Sequence, residues 1–157
     1  MADARDLRRD LAWFIVDRHL DPMLAIANEL GDELVNVVPN LPGANSAYVI
    51  VWHSAAVVQW WTKHVILGQD HPRDRDSEFS ATGDLATLAA RVHEVRRDFL
   101  EDLPKLELGA APGNDPGSRW GDAPLRQSAG GVLLHLLEEL AQHHGHLQLT
   151  RDLLLER

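Results

Sequence analysis

Leu133-Leu134-His135-Leu136-Leu137-Glu138-Glu139-Leu140-Ala141-Gln142-His143-His144-Gly145-His146 sets metal-ligand side chains into a leucine-rich helix. At about 100° per residue, Val132, Leu136, Leu140 and Leu147 share one apolar sector. Glu139 and His143, four residues apart, point into that same sector. An unpaired carboxylate at the edge of a hydrophobic core is costly. Shared coordination of a divalent cation satisfies both groups, and it calls for further ligands from elsewhere in the chain.

His53 is the expected partner, in Ala47-Tyr48-Val49-Ile50-Val51-Trp52-His53-Ser54-Ala55-Ala56-Val57-Val58-Gln59-Trp60-Trp61. Val49, Ile50, Val57, Trp60 and Trp61 place it in the middle of the apolar stripe of a second helix. A lone histidine on such a face is more often a hydrogen-bonded core residue than a ligand. The Glu139/His143 pair reverses that reading. His53, Glu139 and His143 make a three-ligand N/N/O set with a position left open, as in catalytic rather than structural metal sites.

Working outward, four helical stretches stand out and none shows sustained period-two alternation, so the fold class is all-α. The first is expected from about Asp3 to Val35, with Leu7, Leu11, Phe14 and Ile15 followed by Met23, Leu24, Ala27, Leu30 and Leu34. Asp21-Pro22 should kink or restart it. After the turn Pro39-Asn40-Leu41-Pro42-Gly43, Asn45 or Ser46 caps the second helix, which runs to about Leu67 and stops at Gly68. A charged loop, Gln69 to Phe79, leads to a third helix capped by Thr82 or Asp84 and ending near Asp102. Leu103 to Gln127, rich in proline and glycine, reads as a long crossover, and Trp120 favours its being packed rather than loose. Ser128 opens the last helix, and no boundary for a second domain is visible within residues 1–157.

The 157 residues suffice for one core without staples. A net charge of -9, from 15 Lys+Arg against 24 Asp+Glu, argues against a general nucleic-acid footprint. The charged start and the absence of a long apolar run predict a cytoplasmic protein with no membrane partner. No cysteine is present, so disulfides, a cysteine-ligated zinc site and a cysteine nucleophile are excluded. Any thiol chemistry must use a thiol brought by a cosubstrate.

A carboxylate-bridged di-iron site needs two Glu-x-x-His motifs, and no Glu here is followed by His at i+3. His-Glu-x-x-His is absent too. The site should therefore be mononuclear. His135 reads as a core or second-sphere residue, and His146 as a reserve ligand or a donor behind the ligands. His144 projects about 100° away from His143 and is excluded, and His64 lies on the order of 16 Å along the helix from His53. Arg73-Asp74-Arg75-Asp76 could steer an anionic substrate but more simply forms a solvated surface. Arg151-Asp152 would cap its helix or close an ion pair. Trp13, Trp52, Trp60 and Trp61 are expected in packing roles.

Trp52-His53-Ser54 with Gln59-Trp60-Trp61, then Arg73 to Phe79, then Leu134-His135 through Glu138-Glu139-Leu140-Ala141-Gln142-His143-His144-Gly145-His146 to Arg151-Asp152, resemble the DinB-like superfamily. They are similar above all to its mycothiol-dependent S-transferase and maleylpyruvate isomerase branch. The resemblance covers nearly the whole chain, and its most specific part is Glu-x-x-x-His followed by Gly-His. It implies an up-down-down-up four-helix bundle with a long crossover, a metal bound by His53, Glu139 and His143, and a low-molecular-weight thiol cosubstrate such as mycothiol. The cation would be zinc, with nickel as the alternative. A bound divalent cation deprotonates a coordinated thiol, which is mostly protonated on its own at neutral pH. The partners expected are thus a small thiol and an electrophile that the sequence does not identify.

Two other functions fit the same residues. A non-catalytic metal-binding module would use the ion for stability and its Trp- and Leu-rich faces for homodimerisation; a fourth ligand from His146 would favour it. Metal-water hydrolysis is the other, with Glu138 the one candidate base.

Overall fold

The computed structural model describes residues 4–156, with side chains from Leu7 onward, and no strand occurs among them. Helix α1 (Ala4–Ala12) passes through a π-helical segment, Trp13–Leu20, into α2 (Asp21–Leu34). Of the kink or restart expected at Asp21-Pro22, the structure shows the restart, with α-helical winding resuming at Asp21. Leu20 and Asp21 keep right-handed helical angles, and Pro22 lies in the first turn of α2. A proline ring crowds the carbonyl four residues back and supplies no N–H. The wider winding just before it relieves that conflict, since the Asp21 N–H already reaches back five residues to the Val16 carbonyl. The break comes instead at Gly31, with φ 69° and ψ 171°, a conformation glycine adopts without a Cβ penalty.

The π-helical segment also changes which side chains face inward. Leu11, Ile15, Val16 and Leu20 are buried, whereas Leu7, Phe14 and Trp13 are 48%, 43% and 47% exposed. The expectation that Trp13 is a core residue, with Leu7 and Phe14 in the inner stripe, is therefore corrected. An inner stripe read at 3.6 residues per turn loses phase where the helix takes more. Trp13 packs edge-on against Phe14, with ring centroids 4.9 Å apart, and Arg18 lies over its face.

Ser46 caps α3 (Ala47–Gln59) by accepting the Val49 N–H at 3.2 Å, which decides between the two residues considered for that role. Every residue of α3 except Trp52 is buried. A helix that is apolar all round belongs inside, and α3 packs against both α5 (Leu85–Asp102) and α7 (Ala129–Leu154). It continues as a second π-helical segment, Trp60–Ile66, that ends at Gly68 (φ 67°). The charged loop expected next contains one helical turn, α4 (Arg75–Glu78), capped by Asp74. Asp84 caps α5 through the Thr87 N–H at 2.7 Å, and Ser128 caps α7 through the Gly131 N–H at 3.0 Å. Val132, Leu136, Leu140 and Leu147 of α7 are all fully buried, as the spacing required.

The crossover is packed. It holds two short 3-10 turns, Leu103–Lys105 and Ser118–Trp120, and one turn of helix, α6 (Pro124–Gln127). Gly113 and Asn114 donate to the carbonyls of Ile66 and Val65 at 3.1 and 3.0 Å. A Cβ on Gly113 would stand 2.6 Å from the Gly68 nitrogen, so this backbone contact needs glycine. Ala129 and Gly130 donate to Ala110 and Leu108, both at 2.8 Å. None of the helices among the described residues is long and apolar enough to cross a membrane.

Candidate metal centre

His53 comes from the buried centre of α3, and Glu139 and His143 from successive turns of α7. These are the two helices whose packing the apolar pattern demanded. One donor atom from each of the three residues lies within 4.8 Å of the others. His143 Nε2 is 3.4 Å from Glu139 Oε2, and the His53 and His143 rings meet edge to face at 4.8 Å. Donors around a tetrahedral ion with bonds near 2.1 Å stand about 3.4 Å apart, so side-chain movement of roughly 1 Å would close the widest gap. Two imidazoles and a carboxylate suit zinc or another divalent first-row metal.

A fourth residue completes the arrangement. Glu78, the last residue of α4 and 4% exposed, accepts a hydrogen bond from His53 Nδ1 at 2.6 Å. Arg73 grips the same carboxylate twice, Nε to Oε1 at 2.6 Å and Nη2 to Oε2 at 2.8 Å. Burial pushes the Glu78 carboxyl up, but the hydrogen bonds and charges of Arg73 and His53 outweigh it and bring it down to about 2. An ionised carboxylate can only accept, so Nδ1 is the donor and Nε2 is the ring nitrogen left to face a cation. The Glu139 carboxyl is also held below its ordinary range, first by its contact with His143 against the opposing effect of burial, and further by His135 and His53.

The sequence reading missed Glu78. Helix α3 indeed offers no carboxylate beside His53; the carboxylate comes from the charged run that was read as solvated surface. The available signal was Arg73 and Glu78 standing five apart around a one-turn helix. His135 is wedged between the rings of Trp61 and Trp120, each 4.8 Å away, with Nε2 3.5 Å from Glu139 Oε1. It thus adjoins the triad without joining it. His146 is exposed, its ring centroid 6.2 Å from that of His143. His144 faces the opposite flank, where its Nδ1 meets His19 Nδ1 at 3.1 Å. His64 stacks on Trp60 and contacts the Gln69 carbonyl oxygen. Arg151 pairs with Asp152 and reaches Glu29 of α2.

Two clefts meet at His53. One, of about 340 Å³, is walled by the 39–45 turn, Val49, Ile50, His143 and the end of α7. The other, of about 400 Å³, runs between Trp60, His71, Arg75, Arg119 and Glu139.

Comparison with known proteins agrees with this architecture. A crystal structure of a conserved protein from Enterococcus faecalis superposes with a TM-score of 0.68 over 100% of both chains, at 14% identity, which is a likeness of fold. No curated protein matches the chain. The family model for mycothiol S-transferases matches residues 13–155, a span that includes His53, Glu78, Glu139 and His143. The chain belongs to the mycothiol S-transferase family, within the DinB-like group.

Proposed function

We propose that the protein is a metal-dependent S-transferase in which His53, Glu139 and His143 hold one divalent cation, zinc first and nickel second, and mycothiol is the cosubstrate. The observation that supports this most is the convergence of three donor atoms within 4.8 Å at the junction of two clefts, in a chain of this family. When bound, the cation would keep a thiol sulfur deprotonated at neutral pH. The rest is done by side chains. Glu78 and Arg73 fix the tautomer and orientation of His53. Glu139, held ionised, supplies the negative charge that balances the ion. Trp61 and Trp120 hold His135 against Glu139 on the side away from His143.

In the reaction the thiol proton passes to solvent, the sulfur pair forms a bond to an electrophilic carbon, and the leaving group departs with its own electron pair. The surrounding fold is read as one domain over residues 1–157, an up-down-down-up four-helix bundle with 103–127 as the crossover. A soluble cytoplasmic setting, where small thiols stay reduced, suits this chemistry.

Elemental analysis should find close to one divalent ion per chain. Metal-loaded protein should consume mycothiol with monobromobimane faster than the spontaneous reaction, and metal-stripped protein should not exceed that background. X-ray absorption should detect sulfur beside the metal once mycothiol is added. A loaded protein that shows no sulfur at the metal and no turnover with any thiol would leave a metal-binding module in place of a transferase.

A further inference from the structure

The two clefts beside His53 differ in one chemical respect. Among the described residues, the cleft of about 340 Å³ has no Asp, Glu, Lys or Arg in its wall; the ionisable side chains are the histidines 53, 143 and 146. Most of the rest is apolar, including Leu41, Val49, Ile50, Phe79, Leu149 and Leu153, with Asn45 and Thr150 as its uncharged polar side chains. Away from the triad, a charged solute entering it would lose hydration and meet no opposite charge from the described wall residues, which costs several kcal/mol. An uncharged apolar molecule loses nothing and gains the burial of its surface, and the volume falls in the range of small-ligand sites.

The other cleft is lined by Asp70, Arg73, Arg75, Arg119, His64 and His71 around Trp60. Arg73 is occupied by Glu78. Arg75 and Arg119 rest on the faces of Phe79 and Trp120, at 5.0 and 4.8 Å, and no carboxylate among the described residues pairs with either. Their donors are free for the hydroxyl and carbonyl oxygens of a hydrophilic ligand.

We infer that the clefts divide the two cosubstrates, the polar one taking the hydroxyl-rich thiol and the apolar one taking an uncharged, apolar electrophile. The assignment rests on the thiol-transfer reading and adds the class of the second substrate. His53 lies in both walls, Glu139 only in the polar one and His143 only in the apolar one. The triad therefore stands at the septum, where sulfur from one side meets carbon from the other. The new bond is S–C; the bond broken is that between carbon and its leaving group, which takes the electron pair, while the thiol proton goes to solvent. Anionic electrophiles are disfavoured by the same wall that admits apolar ones.

Leu149 and Leu153 are 63% and 54% exposed on the rim, so charges can be placed there without disturbing the core. The unreactive probe syn-dimethylbimane should bind wild-type protein, metal-loaded or metal-stripped, by fluorescence anisotropy. Leu149→Asp and Leu153→Asp should each weaken that binding about tenfold, and Arg119→Ala should leave it unchanged. In turnover, Leu149→Asp should raise KM for monobromobimane about tenfold and leave KM for mycothiol alone, with Arg119→Ala doing the converse. Iodoacetate should be a far poorer substrate than monobromobimane. Absence of probe binding to wild type overturns the assignment, as does a Leu149→Asp effect on mycothiol alone. So does a Leu149→Asp variant that turns a dimer into a monomer with probe binding intact, which would make this face a contact between copies. Probe binding that depends on Leu149 in a protein without turnover would overturn the transfer reading and leave the apolar ligand site standing.

Discussion

His143 and His144 are adjacent on α7, and each meets a histidine from another helix, yet the two pairs have opposite surroundings. His143 faces His53 with Glu139 at 3.4 Å and Glu78 behind His53 at 2.6 Å. His144 faces His19, with the charges of Arg18 and Arg151 nearby and no carboxylate of the described residues in contact. Carboxylates favour a cation between imidazoles; guanidinium groups repel one and, with burial, favour the neutral form of rings whose nitrogens meet at 3.1 Å. Proximity of histidines alone therefore does not mark out a candidate cation site. What surrounds them decides it.

The sharpest way to break this comparison is to remove one ring from each pair. His53→Ala or His143→Ala should abolish tight metal binding in elemental analysis, while His144→Ala should keep close to one ion per chain. Equal loss in all three would show that the ion lies elsewhere. Glu139→Gln keeps the size of the side chain but removes its charge, and should weaken both metal binding and any conjugating activity. Full occupancy and activity in that variant, with both lost in His146→Ala, would exchange Glu139 for His146 in the ligand set.

Glu78→Gln tests the carboxylate that holds His53. Its loss should lower metal affinity on the order of 10- to 100-fold, measured by competition with a chromophoric chelator. Glu78 also has a signature in stability. Its carboxyl is depressed from an ordinary 4.5 to about 2, so its contribution is fully present above pH 4.5 and is lost as pH falls toward 2. For metal-free protein the loss across that window should be on the order of 3 kcal/mol in urea unfolding, and Glu78→Gln should flatten it.

The smallest expected effect belongs to the other pair. Burial lowers both His19 and His144 below their ordinary 6.5, aided for His19 by His144 and Arg18, and for His144 by Arg18 and Arg151 against a hydrogen bond to the Arg18 backbone. A depressed base stabilises the fold above its unfolded value and loses that contribution as pH falls through its folded one. Urea midpoints should therefore drop between pH 7.5 and 5.5, and His19→Gln should reduce the drop. An unchanged slope in that variant would mean the pair titrates no differently in the folded and unfolded chain.

The sequence made α7 readable because its geometry is that of an ordinary helix. A 100° step per residue sets Glu139 and His143 on the core side and swings His144 away, and the structure keeps that phase throughout. Caps at Ser46, Asp84 and Ser128 were readable for the same local reason, since each is a short side chain bonding an N–H three residues ahead. Trp13 and Phe14 were misplaced because π-helical winding leaves no mark in composition. Glu78 escaped because its role depends on a tertiary contact with a helix 25 residues away, and a charge run alone gives no sign of which member turns inward.

The later part of the crossover forms an arc closed at its base, where the Ala129 N–H at the start of α7 donates to the Ala110 carbonyl. Such an arc can change length cheaply, since doubling a loop adds only about 0.6 kcal/mol of closure entropy. Arg119 rides on this arc and reaches the polar cleft, whereas His53, Glu139 and His143 sit on helices that the arc does not interrupt. Insertions or deletions near its exposed tip would therefore reshape ligand preference on one side of the triad while the donor atoms stay in register. The fold separates the part that must be invariant in position from the part that is free to diversify.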